Sequence, residues 1–194
     1  MDDLGQNSET VKWFAMAKRY MMAARTLRLS SDYKEGRALF VPTLHVTAQG
    51  IEVLLKANLI GSGMTAKEVK AIGHDLWRLW EHPKNHRLRD QALIEAMNAY
   101  GRAKAEKTEL GYFDAFEEDP QALLVEYLKA LSVLHTKESD FALRYVSDAA
   151  TEAPRPHLLA ETFFQVADLC IREPSVLLSS EAHDGKIGQS HRGK

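Results

Sequence analysis

His74 and Asp75 stand side by side behind Gly73, and a histidine beside a carboxylate can serve as an oriented general acid or base near neutral pH. Adjacent side chains on a helix diverge, so the pair is not a dyad by sequence alone. Asp75, or His74 itself, equally suits the cap of a helix opened by Leu76, which is the commoner use of such a residue. Upstream, His45, Gln49, Glu52 and Lys56 recur at helical spacing as a polar stripe. Glu52 and Lys56 form an i, i+4 pair in the better orientation, which contributes about 0.2–0.5 kcal/mol if exposed. The functional alternative is that Lys56 reaches an anionic ligand near His74. Late in the chain, Arg144-Tyr145 offers a guanidinium suited to carboxylate or phosphate and a ring able to stack on a base. Its plainer use is to tie a loop to a helix through an internal carboxylate.

Spacing argues against a metal centre. His74 and His82 would lie about 12 Å apart along a helix, and His45 and Glu52 about 10.5 Å, both too far to share one ion. No HExxH arrangement occurs. No metal and no cofactor are expected.

Positioning these residues requires helices. Strand signals are nearly absent, and apolar residues recur at helical periods almost throughout, which predicts an all-α, up-and-down bundle of about five to seven helices. The first helix is predicted over Ser8–Ser30. A second runs over Pro42–Leu59, with Pro42 in its first turn and Gly61 and Gly63 at its stop. Its core stripe is Leu44, Ala48, Ile51, Leu55 and Leu59, with the polar stripe about 100° around the axis. Gly50 within it costs roughly 1 kcal/mol against Ala, and close approach of another helix would explain it.

Thr65-Ala66-Lys67-Glu68 matches a capping box for a short helix ending near Gly73, and a further turn runs from His74 to Glu81. Asn85 is placed to cap a helix over His86–Lys107. Asp119-Pro120 reads as N-cap and first turn of a helix reaching His135, and Pro154 and Pro156 precede a last helix over Leu158–Arg172. Residues 111–119 read as a loop with exposed aromatics Tyr112, Phe113 and Phe116. Trp13, Trp77 and Trp80 are expected in the core or at an interface. Residues 1–173 are expected to form one helical domain, and 174–194, which lack a periodic core signal, a disordered tail.

The 194 residues carry a net charge of −2, without the basic footprint of a dedicated nucleic-acid binder. The single cysteine, Cys170, excludes an intramolecular disulfide and falls in an apolar helical pattern, where a buried inert thiol is expected. There is no signal-peptide pattern at the start and no run of the ~20 apolar residues a membrane span needs, so a cytoplasmic, membrane-independent protein is expected.

Trp13, Tyr20 and Ala24-Arg25, then Gln49-Gly50-Ile51-Glu52-Val53-Leu54-Leu55-Lys56-Ala57, then Gly73-His74-Asp75-Leu76 with Leu79, and finally Leu143-Arg144-Tyr145 follow one another across roughly residues 11–172. In this order they resemble the HEPN superfamily of small helical domains. The resemblance implies a four- or five-helix bundle, often homodimeric, whose members include metal-independent RNases of toxin–antitoxin, abortive-infection and CRISPR systems and proteins thought to bind nucleotides. Nuclease members carry an Arg-x4–6-His motif whose two copies meet across the dimer. Here Arg78 to His82 is one residue too short, and Arg37 to His45 and Arg78 to His86 are one too long. No catalytic pair carries over.

The expectation is therefore a catalytically degenerate HEPN-like homodimer that binds a nucleotide, RNA or partner protein in a regulatory or defence setting. Its ligand-binding set would be His45, Gln49, Glu52, Lys56, His74, Asp75, Arg144 and Tyr145. One alternative is a metal-independent RNase with a non-standard catalytic pair, His74 and Arg144. The other is a structural or adaptor dimer docking through the Tyr112–Phe116 loop.

Overall fold

A computed structural model describes residues 3–36, 38–109, 111–136, 142–143 and 153–179. Among them the chain is an all-α bundle of eight α-helices and one 3-10 turn, with no strand. The helices are α1 (Asp3–Leu29), α2 (Ser31–Lys34), α3 (Phe40–Gly61), α4 (Ala66–Ile72), α5 (Leu76–Trp80), α6 (His86–Glu106), α7 (Pro120–His135) and α8 (Pro156–Arg172). The 3-10 turn, Pro83–Asn85, joins α5 to α6.

Local chemistry sets most of the boundaries. Thr65 and Glu68 form the reciprocal capping box at α4, and the Asp119 carboxylate accepts from Gln121 and Ala122 N–H groups ahead of Pro120. Asn85 precedes α6 but does not cap it. Its side chain is fully buried and instead donates to the Leu79 carbonyl at 2.8 Å, while its oxygen accepts from Asn58 at 2.9 Å. The Asn85 amide is thus paired on both its atoms where the 3-10 turn crosses α3.

Helix α3 is the central element, packed against α1, α5, α7 and α8. Leu44, Ala48, Ile51, Leu55 and Leu59 are fully enclosed, as the core stripe requires. Thr43 and Thr47 are buried too, and their hydroxyls donate to the Leu39 and Thr43 carbonyls one turn back, so neither hydroxyl is left unpaired. At Gly50, α1 comes so close that an added Cβ would lie 2.4 Å from Met21 Cε and 2.8 Å from Tyr20 Cβ. Helix α1 also runs along α8, where Lys18 Nζ meets Asp168 at 2.5 Å and Arg25 Nε meets Glu161 at 2.9 Å.

Of the tryptophans expected in the core or at an interface, Trp80 is core, Trp77 is half-buried and Trp13 is 45% exposed. Two expectations are corrected. Phe113 and Phe116 are buried, stacked edge-on against Tyr100 at 4.6 and 5.5 Å between ring centroids, so the aromatic loop turns its rings inward and offers no exposed patch. Residues 174–179 do not begin a loose tail. Leu177 is buried, Arg87 donates to the Leu178 carbonyl at 3.1 Å, and Ser179 donates to the Lys84 carbonyl at 3.0 Å. The remainder of the expected tail, 180–194, lies outside the described residues.

Candidate functional site

Glu52 sits midway along α3 at 3% exposure, not at the wetter edge that its polar stripe suggested. Its carboxylate gathers three nitrogen groups. Lys56 Nζ, one turn on, donates to Oε1 at 2.7 Å. His135 Nε2, at the end of α7, lies 2.8 Å from Oε2, and His74 Nδ1, in the turn before α5, lies 3.0 Å from both oxygens. Burial pushes the Glu52 carboxyl up, but the hydrogen bonds from His135, Lys56 and His74 outweigh it and bring the pKa down to about 2.

An ionised carboxylate only accepts, which fixes both tautomers: His74 carries its proton on Nδ1 and His135 on Nε2. His135 is buried, and its Nδ1 has no partner among the described residues. The rings of His45 and His135 are 6.2 Å apart, and those of His74 and His135 meet edge-on at 6.1 Å. The His74 side chain is 52% exposed, so the centre runs from an enclosed imidazole through a buried carboxylate to a ring at the surface.

Asp75 takes no part in that chain of contacts. It caps α5 by accepting from the Arg78 N–H at 2.9 Å, and it accepts from the Ser132 hydroxyl at 3.2 Å, which itself accepts from the Trp77 N–H. His74 and Asp75 therefore serve different elements, as adjacency on a helical turn dictates. Gln49 is half-buried one turn before Glu52, and its side chain makes no hydrogen bond among the described residues. Arg144 and Tyr145 lie outside the described residues.

The residue absent from the sequence-derived set is His135. Its signal was present: Leu124, Leu128, Leu131 and His135 continue one apolar stripe at i, i+4, i+7 and i+11. A histidine at a core position needs a buried partner, and Glu52 supplies it.

Glu52, His74 and His135 also offer ligand atoms that all lie within 4.8 Å of one another, drawn from three elements that linear spacing could not bring together. Two features work against a resident cation. The Lys56 ammonium already occupies the same carboxylate, and a metal-bound His135 would have a buried Nδ1–H with no acceptor among the described residues. As arranged, the centre is a hydrogen-bonded one.

Compared with family models, with curated proteins and with solved structures, the chain gives no match.

Proposed function

We propose that this chain is a HEPN-like protein that binds a phosphate-bearing ligand, a nucleotide or RNA, at the outer edge of the Glu52 centre, in a regulatory or defence setting. The observation that carries the reading is the shared carboxylate. Glu52 holds Lys56 and His74 side by side at the boundary between core and solvent, Lys56 at 22% and His74 at 52% side-chain exposure. Each group spends one N–H on Glu52. Lys56 keeps two further donors that can turn to a phosphate, and His74 keeps Nε2 to accept from a ligand hydroxyl, so neither loses its anchor. Fixing the two side chains in advance lowers the ordering cost of binding.

One observation favours a second reading, metal-independent RNA cleavage. A carboxylate that accepts from imidazole Nδ1–H and leaves Nε2 free is the arrangement that orients a histidine as general base.

Fluorescence polarisation with a labelled single-stranded RNA, with ATP as competitor and EDTA present, tests both. Under the leading reading RNA binds uncleaved, and His74→Ala, at the exposed end of the centre, removes binding while lowering stability by no more than about 1 kcal/mol. Cleavage lost in His74→Ala would establish the second reading. Absence of both binding and cleavage would sink the phosphate site altogether.

A further inference from the structure

The ligand atoms of Glu52, His74 and His135 lie within 4.8 Å of one another, and they come from α3, the turn before α5 and the end of α7. Two imidazoles and a carboxylate are a donor set that zinc takes where three protein ligands leave a fourth position open. The same set suits cobalt and nickel, whereas calcium and magnesium ask for oxygen ligands.

The present distances are those of hydrogen bonds: His135 Nε2 is 2.8 Å and His74 Nδ1 is 3.0 Å from the carboxylate. Around a tetrahedral ion with bonds of about 2.0–2.2 Å, neighbouring ligand atoms stand roughly 3.3–3.6 Å apart. An ion here needs no cavity. It takes the place of the bridging protons, and the ligands part by about half an ångström. His74, with a side chain 52% exposed, is both the outermost ligand and the way in.

Three groups must rearrange. Each imidazole keeps its proton but moves it to the other ring nitrogen. In His74 the proton passes to Nε2, on a ring that solvent reaches. In His135 it passes to Nδ1, which is buried and has no partner among the described residues, so no hydrogen bond is broken there. The third group is Lys56. Its ammonium holds Glu52 Oε1 at 2.7 Å, and a divalent ion on the same carboxylate repels it towards solvent, which its side chain already meets. Ammonium and ion compete for one carboxylate, so the features that work against a resident cation make it an exchangeable one.

We propose that the Glu52 centre is a reversible zinc site, in which the ion displaces Lys56 and is held by Glu52, His74 and His135, with water in the fourth position. The consequence for the ligand rests on the phosphate reading above. In the zinc form Lys56 has lost its anchor and His74 has given Nδ1 to the metal, so zinc switches phosphate binding off.

Calorimetric titration of the full chain with zinc chloride tests the site without reference to RNA. One ion per chain is expected, and His74→Ala should weaken it about a hundredfold or more, since even an outer contact to a metal ligand is worth ~10–100-fold. Lys56→Met should bind it about tenfold or more tighter, having lost the competing charge, and zinc should raise its melting temperature further than the parent's. NMR of the ring nitrogens should show the His74 proton moving from Nδ1 to Nε2 as zinc is added. Binding that survives His74→Ala, or that leaves the His74 tautomer unmoved, would put the ion on other histidines and overturn the proposal. So would no binding at about 1 mM zinc, or a Lys56→Met variant that binds no tighter. Labelled RNA bound in EDTA should be released when zinc replaces the chelator, and RNA that stays on the zinc-loaded chain would overturn the switch. RNA that never binds in EDTA refutes the phosphate reading instead, and the zinc titration then decides the metal site alone.

Discussion

Glu52 and His135 stand eighty-three positions apart yet share a 2.8 Å hydrogen bond in which the imidazole Nε2–H donates to a carboxylate almost removed from solvent. Through it the C-terminal end of α7 is fastened to the middle of α3. The same carboxylate holds the turn before α5 through His74, so a single side chain joins three elements. A charge placed so deep is tolerated because every donor around it converges on it.

Glu52→Gln is therefore expected to destabilise the fold by about 3 kcal/mol, since an amide presents its own N–H groups to donors and leaves Lys56 without a counter-charge. Urea denaturation measures this. A loss below about 1 kcal/mol would mean the carboxylate is not a structural tie.

Two buried groups give the protein its widest acid-sensitive windows. His157 has a folded pKa of about 3 against an ordinary 6.5, so the unfolded chain binds a proton first and stability falls as pH drops from 6.5 towards 3. Glu52 has a folded pKa of about 2 against 4.5, so its contribution is complete above 4.5 and is lost as pH falls towards 2. Over its whole window the Glu52 contribution is about 3 kcal/mol. Unfolding free energy measured against pH should begin to fall near 6.5 and steepen below 4.5. In His157→Phe the upper limb should flatten while the lower one persists.

At neutral pH the same His157→Phe variant should be more stable than the parent by about 1 kcal/mol or more, because it replaces a buried ring with two unmet nitrogens by an apolar ring of similar shape. Thermal unfolding without ligand reads this directly. A lower melting temperature would show that the imidazole is paired in solution.

Gly50→Ala should destabilise despite the better helix propensity of alanine. The new methyl would meet the flexible end of Met21, which can move, and Tyr20 Cβ at 2.8 Å, which is fixed to the α1 backbone. Separating α1 from α3 costs more than the roughly 1 kcal/mol that alanine contributes. A stabilised variant in urea would show that α1 yields at this point.

Cys170 is fully buried, and burial pushes its thiol up to about 12. A disulfide reagent should leave it unmodified in the native protein and label it fully in urea. Rapid native labelling would mean that α8 opens easily.

The helices were legible because their signals are local: the capping box at Thr65, Asp119-Pro120 ahead of α7 and the stripe on α3 each act within a turn or two. What escaped was which polar residue goes inside. Glu52 reads as surface because glutamate almost always is, and only its distant partners His135 and His74 make burial tolerable. Phe113 and Phe116 read as exposed because they sit in a loop, yet Tyr100 on α6 gives them a wall to pack on. Trp13 reads as core or interface, and it falls outside the core because the buried side of α1 is set by Phe14, Ala17, Met21 and Ala24. The setting of His157 has no sequence signature, since Tyr112 and Phe113 reach its ring from the loop between α6 and α7.

The pairing of α1 with α8 has a consequence for synthesis. Lys18 and Asp168 are 150 positions apart, and Arg25 and Glu161 are 136 apart. At ribosomal speed the first helix waits on the order of ten seconds for the last one to emerge. Helix α3 arrives early and covers one side of α1, while the flank that carries Lys18 and Arg25 is met only once α8 docks. Closure of the bundle thus waits for α8, and a nascent chain stalled within α7 would present α1 to the cell's chaperones with one flank still bare.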